Sequence, residues 1–148
     1  NFSSKSRVLD VGCGIGEPAF YLHNKYKCKI SGITISERGV ELANESLEKR
    51  GLERYLDFRV ADILHTDFKN KSFDIIWFME VSHLIKDKKR LFSEVHRLLD
   101  EKGTLLMCDF MLSVENNLFQ AFKYYKNIFK YKDEMKTLAK TFGEAHLL

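Results

Sequence analysis

The segment Val8-Leu9-Asp10-Val11-Gly12-Cys13-Gly14-Ile15-Gly16 most constrains what this chain can fold into. A compact apolar run, Val8–Val11, leads straight into three alternating glycines, and Pro18 follows two residues later. Glycine frees the backbone for a tight turn and lets a ligand approach the main chain closely. Pro18 fits the first turn of a helix, where its missing N–H costs nothing. The segment therefore predicts a strand, a sharp turn and a helix whose free N–H groups and positive dipole end face the turn.

Glycine spacing and the flanking charges narrow the ligand. A dinucleotide fingerprint asks for G-x-G-x-x-G, but here the third glycine falls one residue early, at Gly16, and Glu17 stands in its place. A carboxylate at the helix entrance repels a pyrophosphate. Asp10, just ahead of the glycines, can instead accept a hydrogen bond from an ammonium group. An ammonium and a carboxylate on one ligand describe an amino-acid moiety rather than a diphosphate. The alternative is a tight strand–helix turn that holds no ligand.

Downstream, strand-like and helix-like segments alternate. Lys29–Ile35 reads as a second strand, and Ser36 can cap a helix over Glu37–Arg50 that stops at Gly51. Tyr55–Ala61 alternates like a third strand, and Phe73–Met79 is a nearly continuous apolar run suited to a strand buried on both faces. Asp87–Leu99 carries Leu91, Val95, Leu98 and Leu99 at helical spacing, and Thr104–Leu112 completes a fifth strand. This order predicts an α/β fold with a doubly wound, mostly parallel sheet and helices on both faces. Ligands of such sheets bind at the C-terminal strand ends, where the strand order reverses. Residues 1–112 thus form a binding core. In residues 113–148, Leu118, Phe119, Phe122, Tyr125, Ile128 and Phe129 recur at helical spacing among lysines. That segment is expected to be a helical lid on the acceptor side, in preference to a membrane-surface helix.

Composition sets the outer limits. A chain of 148 residues with 45% apolar content builds about one domain with a real core. The net charge is +3 with no dense basic stripe, which argues against nucleic acid as a partner. No apolar run approaches the roughly 20 residues that span a bilayer, so stable membrane insertion is not expected. Cys13, Cys28 and Cys108 have neither disulfide nor metal-ligand spacing, which points to a reducing, cytoplasmic setting and no bound metal. His23, His65, His96 and His146 are scattered and are expected at the surface.

The turn at Asp10–Gly16 resembles motif I of the class I S-adenosylmethionine-dependent methyltransferases, whose fold is Rossmann-like. The likeness continues in order through Val60-Ala61-Asp62, Phe73-Asp74-Ile75-Ile76-Trp77 and Leu98-Leu99-Asp100-Glu101-Lys102-Gly103. Gly12–Pro18, Gly32-Ile33-Thr34-Ile35-Ser36, Glu80-Val81-Ser82-His83 and Cys108-Asp109-Phe110 resemble the small-molecule group typified by rebeccamycin-type sugar O-methyltransferases. Tocopherol-type C-methyltransferases share several of these motifs.

The resemblance implies S-adenosyl-L-methionine as cofactor. It places Asp10, Gly12, Cys13, Gly14 and Gly16 around the methionyl part. Thr34, Ile35 and Ser36 follow at the end of the second strand, and Ala61, Asp62 and Ile63 lie at the adenine, with Phe78 on the fourth strand. Departures stand at Thr34, where most members hold the ribose with an acid, at Gly39, often a glutamine, and at Leu84, where a second histidine is common. The resemblance also implies methyl transfer to a small-molecule acceptor. For a hydroxyl acceptor, His83 is the expected general base and Asp109 the residue that orients it or binds the acceptor. A C- or N-methyltransferase and a non-catalytic cofactor-binding domain are the alternatives. The usual final β-hairpin is missing from the sequence, which suggests a fragment; were the chain whole, an open sheet edge would favour a homodimer.

Overall fold

The structure, a computed structural model, describes residues 2–109. Strands β1 (Arg7–Val11), β2 (Lys29–Thr34), β3 (Leu56–Val60), β4 (Phe73–Met79) and β5 (Leu99–Cys108) are connected through helices α1 (Glu17–Tyr26), α2 (Glu37–Arg50) and α3 (Lys88–Leu98). Short 3-10 turns at Ile63–His65 and Ser82–Leu84 precede β4 and α3. Among the described residues every strand pairing is parallel, in the order β3-β2-β1-β4-β5. The chain builds outward from β1 to β3, then crosses back to lay β4 on the other side of β1. The strand order therefore reverses between β1 and β4. This is the α/β, Rossmann-like sheet the sequence predicts.

Consecutive residues of a strand point to opposite faces, so a strand covered on both faces needs unbroken apolar sequence. Val8 and Leu9 are both fully buried and serve different cores. Val8, Ile30, Leu56 and Ile75 pack with Ala19, Phe20 and Leu22 of α1 and with Ala43 and Leu47 of α2. Leu9, Val11, Ile33, Ile76 and Phe78 pack with Leu91, Val95 and Leu98 of α3. Burying each such large side chain stabilises the fold by about 1.5–3 kcal/mol. The helix ends follow their residue chemistry. Ser36 Oγ accepts from the Gly39 N–H at 3.1 Å, Gly51 closes α2 at φ 63°, and the Asp87 carboxylate caps α3 by accepting from the Arg90 N–H at 2.9 Å. Each side-chain cap contributes about 1 kcal/mol.

Two expectations are corrected. β5 begins at Leu99 rather than Thr104: Leu99 pairs with Phe73, the register slips, and Thr104 then pairs with Ile75. The charged Asp100–Lys102 stretch reads as a turn, but it is an exposed irregularity inside the strand. Gly103 makes it possible, because a Cβ there would lie 2.8 Å from Leu99 Cδ2 and 2.9 Å from the Asp100 carbonyl oxygen. His23, expected at the surface, is buried. The chain reverses at Lys27, at φ 58°, and encloses the ring, whose Nδ1 lies 2.8 Å from the Cys28 carbonyl oxygen and whose face packs on Tyr55. The expected end of the fifth strand, residues 110–112, and the expected helical segment 113–148 lie outside the described residues. Among the described residues no helix is long and apolar enough to cross a membrane.

Candidate active site

The three turn glycines all have left-handed backbones, at φ 78°, 54° and 86°, yet they serve different purposes. A Cβ on Gly12 would lie 2.6–2.8 Å from the Val81 side chain, so its absence lets the segment after β4 close over the turn. A Cβ on Gly16 would lie 2.7 Å from Phe58 Cζ, and one on Gly32 would lie 2.4 Å from Phe58 Cδ1. These two glycines form a slot for the Phe58 ring, which meets Phe20 edge-on at 5.4 Å. Of the three, Gly14 alone faces open space among the described residues, none of which has an atom within 4 Å of where its Cβ would be. This is the point of the turn that a ligand can approach. The N–H groups of Gly12 and Cys13 both donate to the Ile33 carbonyl, at 2.8 and 3.1 Å, which fastens the turn to the end of β2. Gly39 presses on the turn from α2: a Cβ there would lie 3.0 Å from the Gly14 carbonyl oxygen. The missing glutamine at this position is therefore matched by close backbone packing.

Asp10 sits one step before the turn, in register with Gly32 on β2 and Trp77 on β4. It is only 2% exposed, and its Oδ2 has no hydrogen-bond partner among the described residues. Burial pushes its carboxyl up to about 7. The buried Cys13 thiol is pushed up to about 12, first by burial and then by the charge of Asp10, which makes it a packing group rather than a nucleophile. A buried carboxylate oxygen without a partner is costly, and a cationic group brought against it offsets that cost. Asp10 and the open face at Gly14 thus fit a ligand that carries an ammonium group.

At the end of β2, Thr34 Oγ1 accepts from the Ser36 N–H at 3.3 Å, and the Ser36 hydroxyl is committed to capping α2. Ile35 is 78% exposed there. The Ala61 N–H donates to the Thr34 carbonyl at 3.0 Å, which brings the end of β3 alongside. Asp62 Oδ1 accepts from the Leu64 N–H at 2.9 Å, and Oδ2 lies 3.5 Å from His65 Nδ1. The side chains of Ile63 and Phe78 are buried in the α3-side core with Leu9 and Val11.

The second cluster forms where β4 and β5 end. Glu80 turns the chain at φ 53°, and its N–H donates to the Cys108 carbonyl at 2.7 Å. The Ser82–Leu84 turn then presents His83 to Asp109. The His83 N–H donates to Asp109 Oδ2 at 3.0 Å, His83 Nδ1 contacts Asp109 Oδ1, and the Ser82 hydroxyl donates to Oδ2. The Asp109 side chain is 10% exposed and that of His83 37%. Adjacent parallel strands bring the two residues together as their sequence positions imply. Sequence reasoning did not single out Ser82, Val81, Phe58 or Lys88. Ser82 could have been found as the hydroxyl neighbour of His83, while packing partners such as Val81 and Phe58 carry no local signal. Among the described residues no group of three or more His, Cys, Asp or Glu side chains is placed to hold a metal ion.

A sequence model of the methyltransferase domain matches residues 2–144. The chain belongs to the class I S-adenosylmethionine-dependent methyltransferases. It is 35% identical over 106 residues to the 27-O-demethylrifamycin SV methyltransferase of Amycolatopsis mediterranei (strain S699), covering 72% of this chain and 39% of that protein. It is 33% identical over 131 residues to the phosphoethanolamine N-methyltransferase of Plasmodium falciparum (isolate 3D7), covering 87% of this chain and 48% of that one. Among solved structures, a geranyl diphosphate methyltransferase in complex with S-adenosylmethionine superposes with a TM-score of 0.67 at 27% identity, over 71% of this chain and 42% of that one. The chain spans under half the length of these relatives.

Proposed function

We propose that this chain is the cofactor-binding core of an enzyme that methylates a hydroxyl group of a small-molecule acceptor, with His83 as general base. The contact between His83 Nδ1 and the Asp109 carboxylate carries this reading. Asp10 would hold the ammonium of S-adenosylmethionine, and the open face at Gly14 would admit its carboxylate near the N-terminus of α1. The exposed Ile35 and Asp62 would flank the adenosine. When bound, the cofactor supplies a methyl group already activated on a sulfonium, so no electrophile has to be generated. The remaining demand on the protein is to orient the acceptor and remove its proton. With Nδ1–H donating to Asp109, the imidazole lone pair lies on Nε2, and the acceptor's O–H proton passes there. Asp109 stabilises the resulting imidazolium without itself taking the proton.

The likeness to an O-methyltransferase acting on a rifamycin supports a hydroxyl acceptor. An amine acceptor is the second reading, favoured by the likeness to phosphoethanolamine N-methyltransferase over 87% of this chain. The test is turnover by the full-length protein and its His83→Ala variant on a panel of hydroxyl and amine acceptors with labelled cofactor. Loss of about 10²–10⁴-fold in turnover with unchanged cofactor affinity supports the base. Undiminished turnover of a hydroxyl acceptor overturns it, and undiminished turnover of an amine moves the assignment to the second reading.

A further inference from the structure

Lys88 opens α3, where a cation works against the helix dipole. The first turn, Lys88-Lys89-Arg90, contains no acidic residue, and the carboxylate at this helix end is the Asp87 cap. The Lys88 ammonium turns back instead and donates to the carbonyls of Ser82 and Ile85, the latter at 2.6 Å. Those two carbonyls bracket the turn that carries His83. The ammonium is half-buried; burial drives its pKa down, and the charge of Asp109 drives it back up. The same Asp109 carboxylate binds the His83 ring and the Ser82 hydroxyl. Among the described residues, the charged groups brought to this turn include Asp109, from the end of β5, and Lys88, from α3. Asp87 is occupied in capping α3, and Lys86 and Lys89 are exposed.

We propose that Lys88 is a positioning residue that clamps the His83 turn against Asp109 and shares the Asp109 charge with the imidazole. A cation beside Asp109 opposes protonation of His83, and removing it leaves the full carboxylate charge to favour the imidazolium. Where turnover is concerned the proposal rests on His83 acting as the base, but its direct test does not require an acceptor.

The experiment is an NMR titration of His83 in the full-length protein, its ring signal assigned by its disappearance in His83→Gln. Lys88→Met raises the His83 pKa by about half a unit or more, Lys88→Arg restores most of the original value, and Lys89→Met leaves it unchanged. Lys88→Gln keeps N–H donors without the charge, and it carries the same comparison should Lys88→Met fail to fold. In turnover, the acid limb of the pH profile moves up with the NMR value. An unmoved His83 pKa in a natively folded Lys88→Met or Lys88→Gln protein overturns the proposal. A moved pKa combined with full turnover in His83→Ala supports the role of Lys88 and defeats only the base assignment.

Discussion

Val81 fills the space that a side chain at position 12 would need: a Cβ on Gly12 would lie 2.6 Å from Val81 Cγ2. The turn after β1 and the turn after β4 are therefore packed together at the point where the strand order reverses. One holds Asp10 and the open face at Gly14, and the other leads directly to His83. The contact couples the turn that follows Asp10 to the turn that carries His83 through ordinary packing.

Gly12→Ala is expected to destabilise the protein by about 2–3 kcal/mol, from overpacking against Val81 and from the left-handed backbone at φ 78°. Val81→Gly in the same chain relieves the overpacking and returns part of the loss. Denaturant unfolding of the two single variants and the double variant measures the coupling, and strict additivity would refute the contact.

Gly14 and Gly51 form a matched pair. Both have positive φ, 54° and 63°, and among the described residues no atom lies within 4 Å of where either Cβ would be. Alanine at either is expected to cost about 1–2 kcal/mol of stability from the backbone alone. Only Gly14→Ala should weaken S-adenosylmethionine binding, by about tenfold or more, because only Gly14 lies on the turn proposed to hold the cofactor. Equal affinities in the two variants would remove Gly14 from the site.

Asp10 makes stability depend on pH. Its carboxyl stands at about 7 in the fold against an ordinary 3.8, with burial as the cause. Between those values the folded state binds more protons than the unfolded state, so stability falls as pH rises through the window and levels off above about 7. Asp10→Asn removes this slope. The variant should match the wild type near pH 4 and exceed it near pH 8 by up to roughly 4 kcal/mol. Unfolding curves at the two pH values check the sign.

Much of the fold was legible because its signals are local. The apolar run Phe73–Met79, the Ser36 cap and the Gly51 stop all fall where the sequence places them. Parallel pairing of β4 with β5 was enough to bring His83 near Asp109. What stayed hidden depends on contacts distant in sequence. Phe58 gives Gly16 and Gly32 their purpose, and nothing around any of the three residues announces the slot they form. His23 is enclosed because the chain reverses at Lys27 and carries Cys28 over it. The start of β5 was misplaced because Asp100–Lys102 have turn chemistry while Leu99 already pairs with Phe73. Lys88 reads as one of three ordinary surface cations until its ammonium is seen to reach Ser82 and Ile85.

The most direct test is calorimetric titration of the full-length protein with S-adenosylmethionine and, separately, with a nicotinamide dinucleotide, repeated on Asp10→Asn. S-adenosylmethionine should bind the wild type, the dinucleotide should not, and Asp10→Asn should lose most of the affinity while remaining folded. Binding of the dinucleotide in place of S-adenosylmethionine, or undiminished S-adenosylmethionine affinity in Asp10→Asn, would contradict the assignment of the Asp10–Gly16 turn as an amino-acid cradle.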